Sequence, residues 1–327
     1  MAEWRATGQL PQGPVVRALV EEAHRRFGPV NEGEVATYIP ALANADPRRF
    51  AIAVASCGGP LVEAGEVGHR FSIQSLSKPF LLALLCEAIG ERQVREKLGV
   101  NSTGLPFNSV QAVERVEGGL SNPMVNAGAI AATSLVPGDT AEAKWAFIED
   151  GFSRFAGRPL VVDEAVVASE MATNRRNVGI AHLLEEQGGL CFDAEASTEL
   201  YTRQCALSVS THDLALMAAT LANGGRHPQS GESVVAPRIC QLTLAVMVTA
   251  GLYETSGDWL YDIGLPGKSG VSGGMITVAP GKGGLATYSP PLDSAGNSVR
   301  GQLTAAFLSE RLGLHLLASE AVGHHCP

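Results

Sequence analysis

A chain of 327 residues, 45% hydrophobic and only 17% charged, is long enough for one large or two ordinary packed domains and too apolar to be disordered. Its formal net charge is −9, and its 24 lysines and arginines are scattered rather than gathered into a stripe, which argues against a nucleic-acid partner. The first residues lack the basic-then-apolar order of an export signal, and no apolar run reaches membrane-spanning length, so a cytoplasmic protein without a membrane partner is expected.

In chain order, residues 14–27 carry helical apolar spacing. Residues 50–55 form a short apolar run that ends in Ser-Cys-Gly-Gly-Pro. That reads as a strand entering a hairpin, with 61–64 as its return. Ser75 opens an apolar helix expected over 78–90. Further helices are expected near 123–135, 140–156, 163–174, 177–187, 194–205 and 211–223. Ser210-Thr211 before Asp213 gives the last of these a start signal, and Asn223-Gly224-Gly225 gives it a stop. After about residue 230, Gly-rich segments alternate with β-like runs at 273–279, 284–289 and 301–303, and a helix is expected over 304–312.

Strand segments therefore lie at both ends, with helices between. The expected fold is α+β: an antiparallel sheet flanked by helices, plus an inserted, mainly helical domain. The expected division is a discontinuous sheet domain, 1–77 with 226–327, and a helical domain, 78–225. An active site would lie where the two meet. The six cysteines (Cys57, Cys86, Cys191, Cys205, Cys240, Cys326) form no C-x-x-C pair and read as reduced thiols. No metal site is expected from them.

The chemistry centres on Ser75-Leu76-Ser77-Lys78. Ser75 and Lys78, three residues apart, share one helical face, so a nucleophile stands beside a possible base. The plain alternative is that Ser75 caps its helix. Lys268-Ser269-Gly270 before a strand, far downstream of Ser-x-x-Lys, is the pattern of the serine β-lactamases and penicillin-binding proteins. A strand edge there would supply amides to an oxyanion, and the lysine positive charge. The middle Ser-x-Asn or Tyr-x-Asn of that family is missing, which argues against a lactamase. His69 lies near Ser75 in sequence but reads as structural rather than as part of a triad.

The fuller pattern resembles the serine-dependent glutaminases, which share that fold, over about residues 13–320. The matching segments are Tyr38-Ile39-Pro40, Phe71 to Lys78, Pro106 to Ser109, and Asn122 to Ile130. They continue with Glu170 to Asn177, Tyr201 to Ala206, Tyr253-Glu254, Lys268 to Gly274, and Ser289 to Ser298.

The resemblance implies that Ser75 attacks the carboxamide of L-glutamine, activated by Lys78, by Tyr253, or by both. It implies an oxyanion hole from the amides of Ser75 and Val271. Glu170 would pair with the substrate ammonium. Asn126, Asn177 and Tyr201 would orient the carboxylate and carboxamide, and Tyr38 would close the pocket. Lys268, Ser269 and Gly270 would support from their strand. It implies no cofactor, and a homodimer or homotetramer. Each residue also has a bland reading: Asn126 and Asn177 as helix caps, Glu170 as a surface carboxylate, Tyr201 and Tyr253 as core tyrosines. Two rival functions remain: another amidase or esterase of this fold, and a pocket that binds glutamine without turnover.

Overall fold

The strands that build the main sheet come from the two ends of the chain. The computed structural model describes residues 10–114 and 120–318; the first residues and the tail with His324, His325 and Cys326 lie outside them. The chain begins with α1 (Gly13–Phe27), the hairpin β1 (Ala51–Ser56) and β2 (Leu61–Gly65), and β3 (Phe71–Ser72). A helical stretch follows: α2 (Ser77–Ile89), α3 (Glu91–Lys97), α4 (Gln111–Glu114), α5 (Asn126–Ser134) and α6 (Ala141–Ala156). It continues through β4 (Val161–Val162), α7 (Glu164–Met171), α8 (Arg175–Glu186), α9 (Ala194–Cys205), β5 (Leu207–Val209) and α10 (Thr211–Ala222). The last part holds α11 (Pro237–Ala250), α12 (Ser256–Asp262), β6 (Gly267–Ser269), β7 (Gly274–Ala279), β8 (Gly283–Tyr288) and α13 (Val299–Leu312).

The main sheet is antiparallel, in the order β2-β1-β8-β7-β6. Strand alternation sorts β1 between two cores. Ala51, Ala53 and Ala55 face one cluster, which holds α10; Ile52 and Val54 face the other, which holds α1 and α13. The small residues on the first face let α10 approach closely. A Cβ on Gly284 of β8 would stand 2.4 Å from the Ala219 backbone nitrogen. The capping box expected at the start of α10 forms, with Ser210 and Asp213 as its two partners.

Helix α2 is buried along most of its length because it is apolar all round. Phe80, Leu81, Leu84 and Leu85 are each buried there. At roughly 1.5–3 kcal/mol per side chain, they offset the burial of one lysine on the same helix.

Several sequence expectations need correction. Residues 301–303 are not β-like but belong to α13; three glycine-flanked residues carry too little pattern to tell. Segment 237–250, set among β-like runs, is the helix α11, started by Pro237 in its first turn. The helix expected over 123–135 begins only at Asn126, because Ser121–Val125 forms a loop. Ser75 is not the cap of α2. It sits in a 3₁₀ turn, Gln74–Leu76, just ahead of it, and the helix has no side-chain cap.

Candidate active site

A pocket of about 290 Å³ opens where the main sheet meets the helical stretch. Ser75, Asn126, Glu170, Asn177, Tyr201 and Val271 all line it. Two larger clefts elsewhere, and a third that adjoins this pocket at Tyr38, Phe107 and Val271, gather fewer polar side chains.

The turn that presents Ser75 is strained. Gln74, immediately before it, has φ +52°, and Tyr253 has φ +59°. Among the described residues these are the only non-glycine residues with positive φ. Such backbone costs of order 1–3 kcal/mol per residue and persists where the surroundings over-determine it. Both positions adjoin the Ser75 side chain: Gln74 in sequence, Tyr253 through its hydroxyl. Among the described residues, neither the Ser75 nor the Val271 backbone amide donates to another protein group. Two unpaired amides on residues that line one pocket can receive an oxyanion.

Lys78 is 1% exposed. Its Nζ donates to Asn126 Oδ1 at 2.8 Å and to Met124 O at 3.3 Å. Burial pulls its pKa down to about 7, against weaker opposing pulls from Cys205 and Glu170. Asn126 Oδ1 also accepts from the Tyr201 hydroxyl at 3.2 Å, and Asn126 Nδ2 donates to Asn177 Oδ1 at 2.9 Å. Asn126 is therefore the hub that joins α2, α5, α8 and α9. It is not the helix cap, which falls at Val125. Asn177 likewise lies inside α8, whose cap position is Asn174.

Glu170, on α7, is 7% exposed rather than on the surface. Burial raises its pKa to about 7, while the Gln74 amide and Lys78 pull it down. Gln74 Nε2 reaches Glu170 Oε2 at 3.4 Å and Ser72 Oγ at 3.2 Å. Tyr38 is 53% exposed as a residue, yet burial is the main cause of its raised pKa, with Tyr253 and Glu170 adding to it. Its hydroxyl lies near enough to those two groups to feel their charge.

Tyr253 lies behind the pocket lining and is buried. Burial raises its pKa, and the Ser75 and Ser269 hydroxyls beside it work against that rise. No well-formed hydrogen bond reaches its hydroxyl, so it is close to both serines but off ideal geometry. Lys268 Nζ stands 3.9 Å from the centre of its ring and donates to Ser269 O at 2.9 Å. Burial, and then Lys78, hold Lys268 well below the ordinary lysine range.

Of the residues given a role from the sequence, Tyr38, Ser75, Asn126, Glu170, Asn177, Tyr201 and Val271 line this pocket, while Lys78, Tyr253, Lys268, Ser269 and Gly270 are buried outside its lining. His69 does not line it; its ring packs on Tyr288 at 5.3 Å. Sequence reasoning gave no role to Gln74, whose signal is only its place before Ser75. Among the described residues, no group of three or more His, Cys, Asp and Glu is placed to hold a metal.

The fold is that of the serine β-lactamase/transpeptidase-like proteins. The sequence model of the family described as Glutaminase matches residues 33–317. The chain is 56% identical over 318 residues to Glutaminase 2 of Yersinia pestis, covering 97% of this chain and 94% of that protein. It is 46% identical over 302 residues to a glutaminase of Colwellia psychrerythraea, covering 92% and 97%. The solved structure of the probable glutaminase YbaS superposes with a TM-score of 0.93 at 42% identity, covering 94% of this chain and all (100%) of that one. A probable glutaminase from Bacillus subtilis, complexed with 6-diazo-5-oxo-L-norleucine, superposes with a TM-score of 0.82 at 30% identity, covering 95% and 99%. The chain belongs to the glutaminase family and is an amidohydrolase enzyme.

Proposed function

We propose that this enzyme hydrolyses L-glutamine to L-glutamate and ammonia through an acyl-enzyme on Ser75. The observation that carries the reading is one small pocket with a buried carboxylate, Glu170, near the unpaired amides of Ser75 and Val271. A zwitterionic amino acid with a side-chain amide calls for these groups. Glu170 takes its ammonium. Asn126, Asn177 and Tyr201 orient its carboxylate and carboxamide, and Tyr38 closes over it. The two amides receive the oxyanion as Ser75 attacks. Lys78, its pKa brought down to about 7 by burial, and Tyr253 manage the protons. Lys268 and Ser269 lie in β6, and Gly270 follows it, leading into Val271.

The test is a time course of glutamate and ammonia release from glutamine. Equal, continuing release supports the reading. Binding without release makes this a glutamine-binding module. Turnover of esters or β-lactams with none of glutamine makes it another hydrolase of the fold.

The division into 1–77 with 226–327, and 78–225, is also our proposal. The main-sheet strands fall in the first part and α2 to α9 in the second; α10 joins them by packing on the sheet. No helix among the described residues is long and apolar enough to cross a membrane. A cytoplasmic location is proposed from the five free cysteines among the described residues. A homodimer or homotetramer is proposed from the family resemblance, and light scattering tests it.

A further inference from the structure

Residues 28–50, between α1 and β1, carry Tyr38 and form a loop well beyond the usual upper length of about 12–15 residues. Little apolar surface holds it. Ala36, Ile39 and Leu42 pack in a small cluster with Val271 and Leu292, apart from the two main cores. Polar contacts fix the rest. Glu34 exchanges backbone hydrogen bonds of 2.9 Å with Leu292 in both directions. The Ala41 amide donates to Ser169 Oγ at 3.0 Å, one residue before Glu170 on α7. Tyr38 lies between these two pins in sequence and lines the pocket.

One side chain holds both ends of this loop. Arg300, in the first turn of α13, is 2% exposed and does not line the pocket. Its Nε donates to Val30 O at 2.7 Å, shortly after α1. Its Nη1 donates to Pro47 O at 3.0 Å and to Arg49 O at 3.3 Å, shortly before β1. The same nitrogen reaches Ser289 Oγ at 3.5 Å, and the guanidinium carbon stands 5.8 Å from the centre of the Phe50 ring. These acceptors are all neutral. A buried cation without a carboxylate is costly to desolvate, and an apolar side chain would avoid that cost. What the guanidinium adds is reach: a rigid fork whose charged N–H groups bond strongly and face two chain segments at once.

We infer that Arg300 is a positioning residue for substrate capture: by tying both ends of the loop together, it holds Tyr38 over the pocket. The inference rests on the glutaminase reading above, in which Tyr38 closes over glutamine. Released at its ends, the loop keeps its pins at Glu34 and Ala41 but samples more conformations, so Tyr38 stands over the pocket for less of the time. A binding-competent state that is populated less often weakens apparent affinity in proportion. Ser75 and Lys78 lie on a turn and a helix that Arg300 does not bond to, so turnover of bound substrate is spared.

The test measures glutamine kinetics and backbone amide exchange for wild type, Arg300→Met, Arg300→Lys and Arg300→Gln, each also with Tyr38→Ala. Arg300→Met should raise KM about tenfold or more while kcat stays within about threefold. Arg300→Lys keeps the charge, but one ammonium does not span both ends of the loop, so KM should recover only in part. With Tyr38→Ala already present, Arg300→Met should change KM by less than about twofold. Amides of residues 30–49 should exchange about tenfold faster or more, while those of α2 and β7 keep their rates. An unchanged KM in Arg300→Met overturns the inference. So does an equal rise in KM with and without Tyr38, or a kcat that falls as far as KM rises, either of which would mark a merely structural role. If Arg300→Met does not fold, Arg300→Gln, which keeps a donor for one end, must show the same split; if none of the three folds, Arg300 serves the fold alone and the inference falls. It falls too if Tyr38→Ala by itself leaves KM unchanged. If wild type releases no ammonia from glutamine, the glutaminase reading falls instead, and the exchange of residues 30–49 still decides whether Arg300 holds the loop.

Discussion

Lys78 Nζ donates to Asn126 Oδ1 at 2.8 Å, and this one contact ties the helix behind Ser75 to the helix that borders the substrate pocket. Asn126 is neutral, so it holds the amine in place without stabilising its charged form. A carboxylate in the same place would do the opposite. Asn126→Asp should raise the Lys78 pKa and shift the acidic limb of the kcat/KM profile upward by about one unit or more. Kinetics across pH check this. An unshifted limb would mean that Lys78 is not the titrating base.

The two groups held near pH 7 predict an unusual stability profile. Glu170 is raised from 4.5 to about 7, so between those values the folded state holds the extra proton. Its contribution to stability is full below 4.5 and is lost as pH rises through about 7. Lys78 is lowered from 10.5 to about 7, so in that window the unfolded chain holds the extra proton. Its contribution is present above 10.5 and is lost as pH falls through about 7. Together they place a stability minimum near pH 7 in the substrate-free enzyme. Denaturant midpoints measured across pH check it, and Glu170→Gln should remove the acidic arm.

Glu170→Gln should also raise KM for glutamine about tenfold or more while changing kcat far less. The substrate ammonium would lose its ionic partner, and the chemistry at Ser75 would be left in place. An unchanged KM refutes the pairing. Because burial raises the Glu170 pKa to about 7, glutamine binding near or below that pH should release protons, visible as a buffer-dependent binding enthalpy.

Ser75→Ala should abolish ammonia release and leave the fold intact by circular dichroism. Residual activity above about a tenth of wild type would remove Ser75 from the nucleophile role.

Gly128→Ala should destabilise the protein by about 2 kcal/mol or more. Its Cβ would stand 2.0 Å from the Asn122 backbone oxygen, in the loop that leads to Met124 and Asn126. Urea unfolding measures the loss. Activity should fall with it, because that loop carries Met124 and leads into Asn126, the two acceptors of Lys78.

Much of this architecture was legible in the chain. A short apolar run ending in Ser-Cys-Gly-Gly-Pro marked β1, and Ser210 with Asp213 marked the start of α10, because a run, a turn or a cap is written in adjacent residues. Helix α11 was less legible, since its apolar run sits among glycine-rich segments. The pocket residues were found through motif resemblance, because polar residues on apolar helices carry no periodic signal. The bland readings of Asn126, Asn177 and Glu170 failed for one reason. Each depended on which neighbours fold against the residue, and those come from distant segments.

The sequence by itself determined many of the elements, the α+β layout and the close spacing of the serine and lysine. These follow from local spacing, which short-range sterics and burial translate directly into structure. Only the tertiary structure decided the charge states and the strain. Lys78 and Glu170 are both brought to about pH 7 by burial among residues remote in sequence. Gln74 and Tyr253 hold left-handed backbone because packing around the site leaves no other choice. Desolvation and strain depend on the whole surroundings of a group, and no stretch of adjacent residues encodes that.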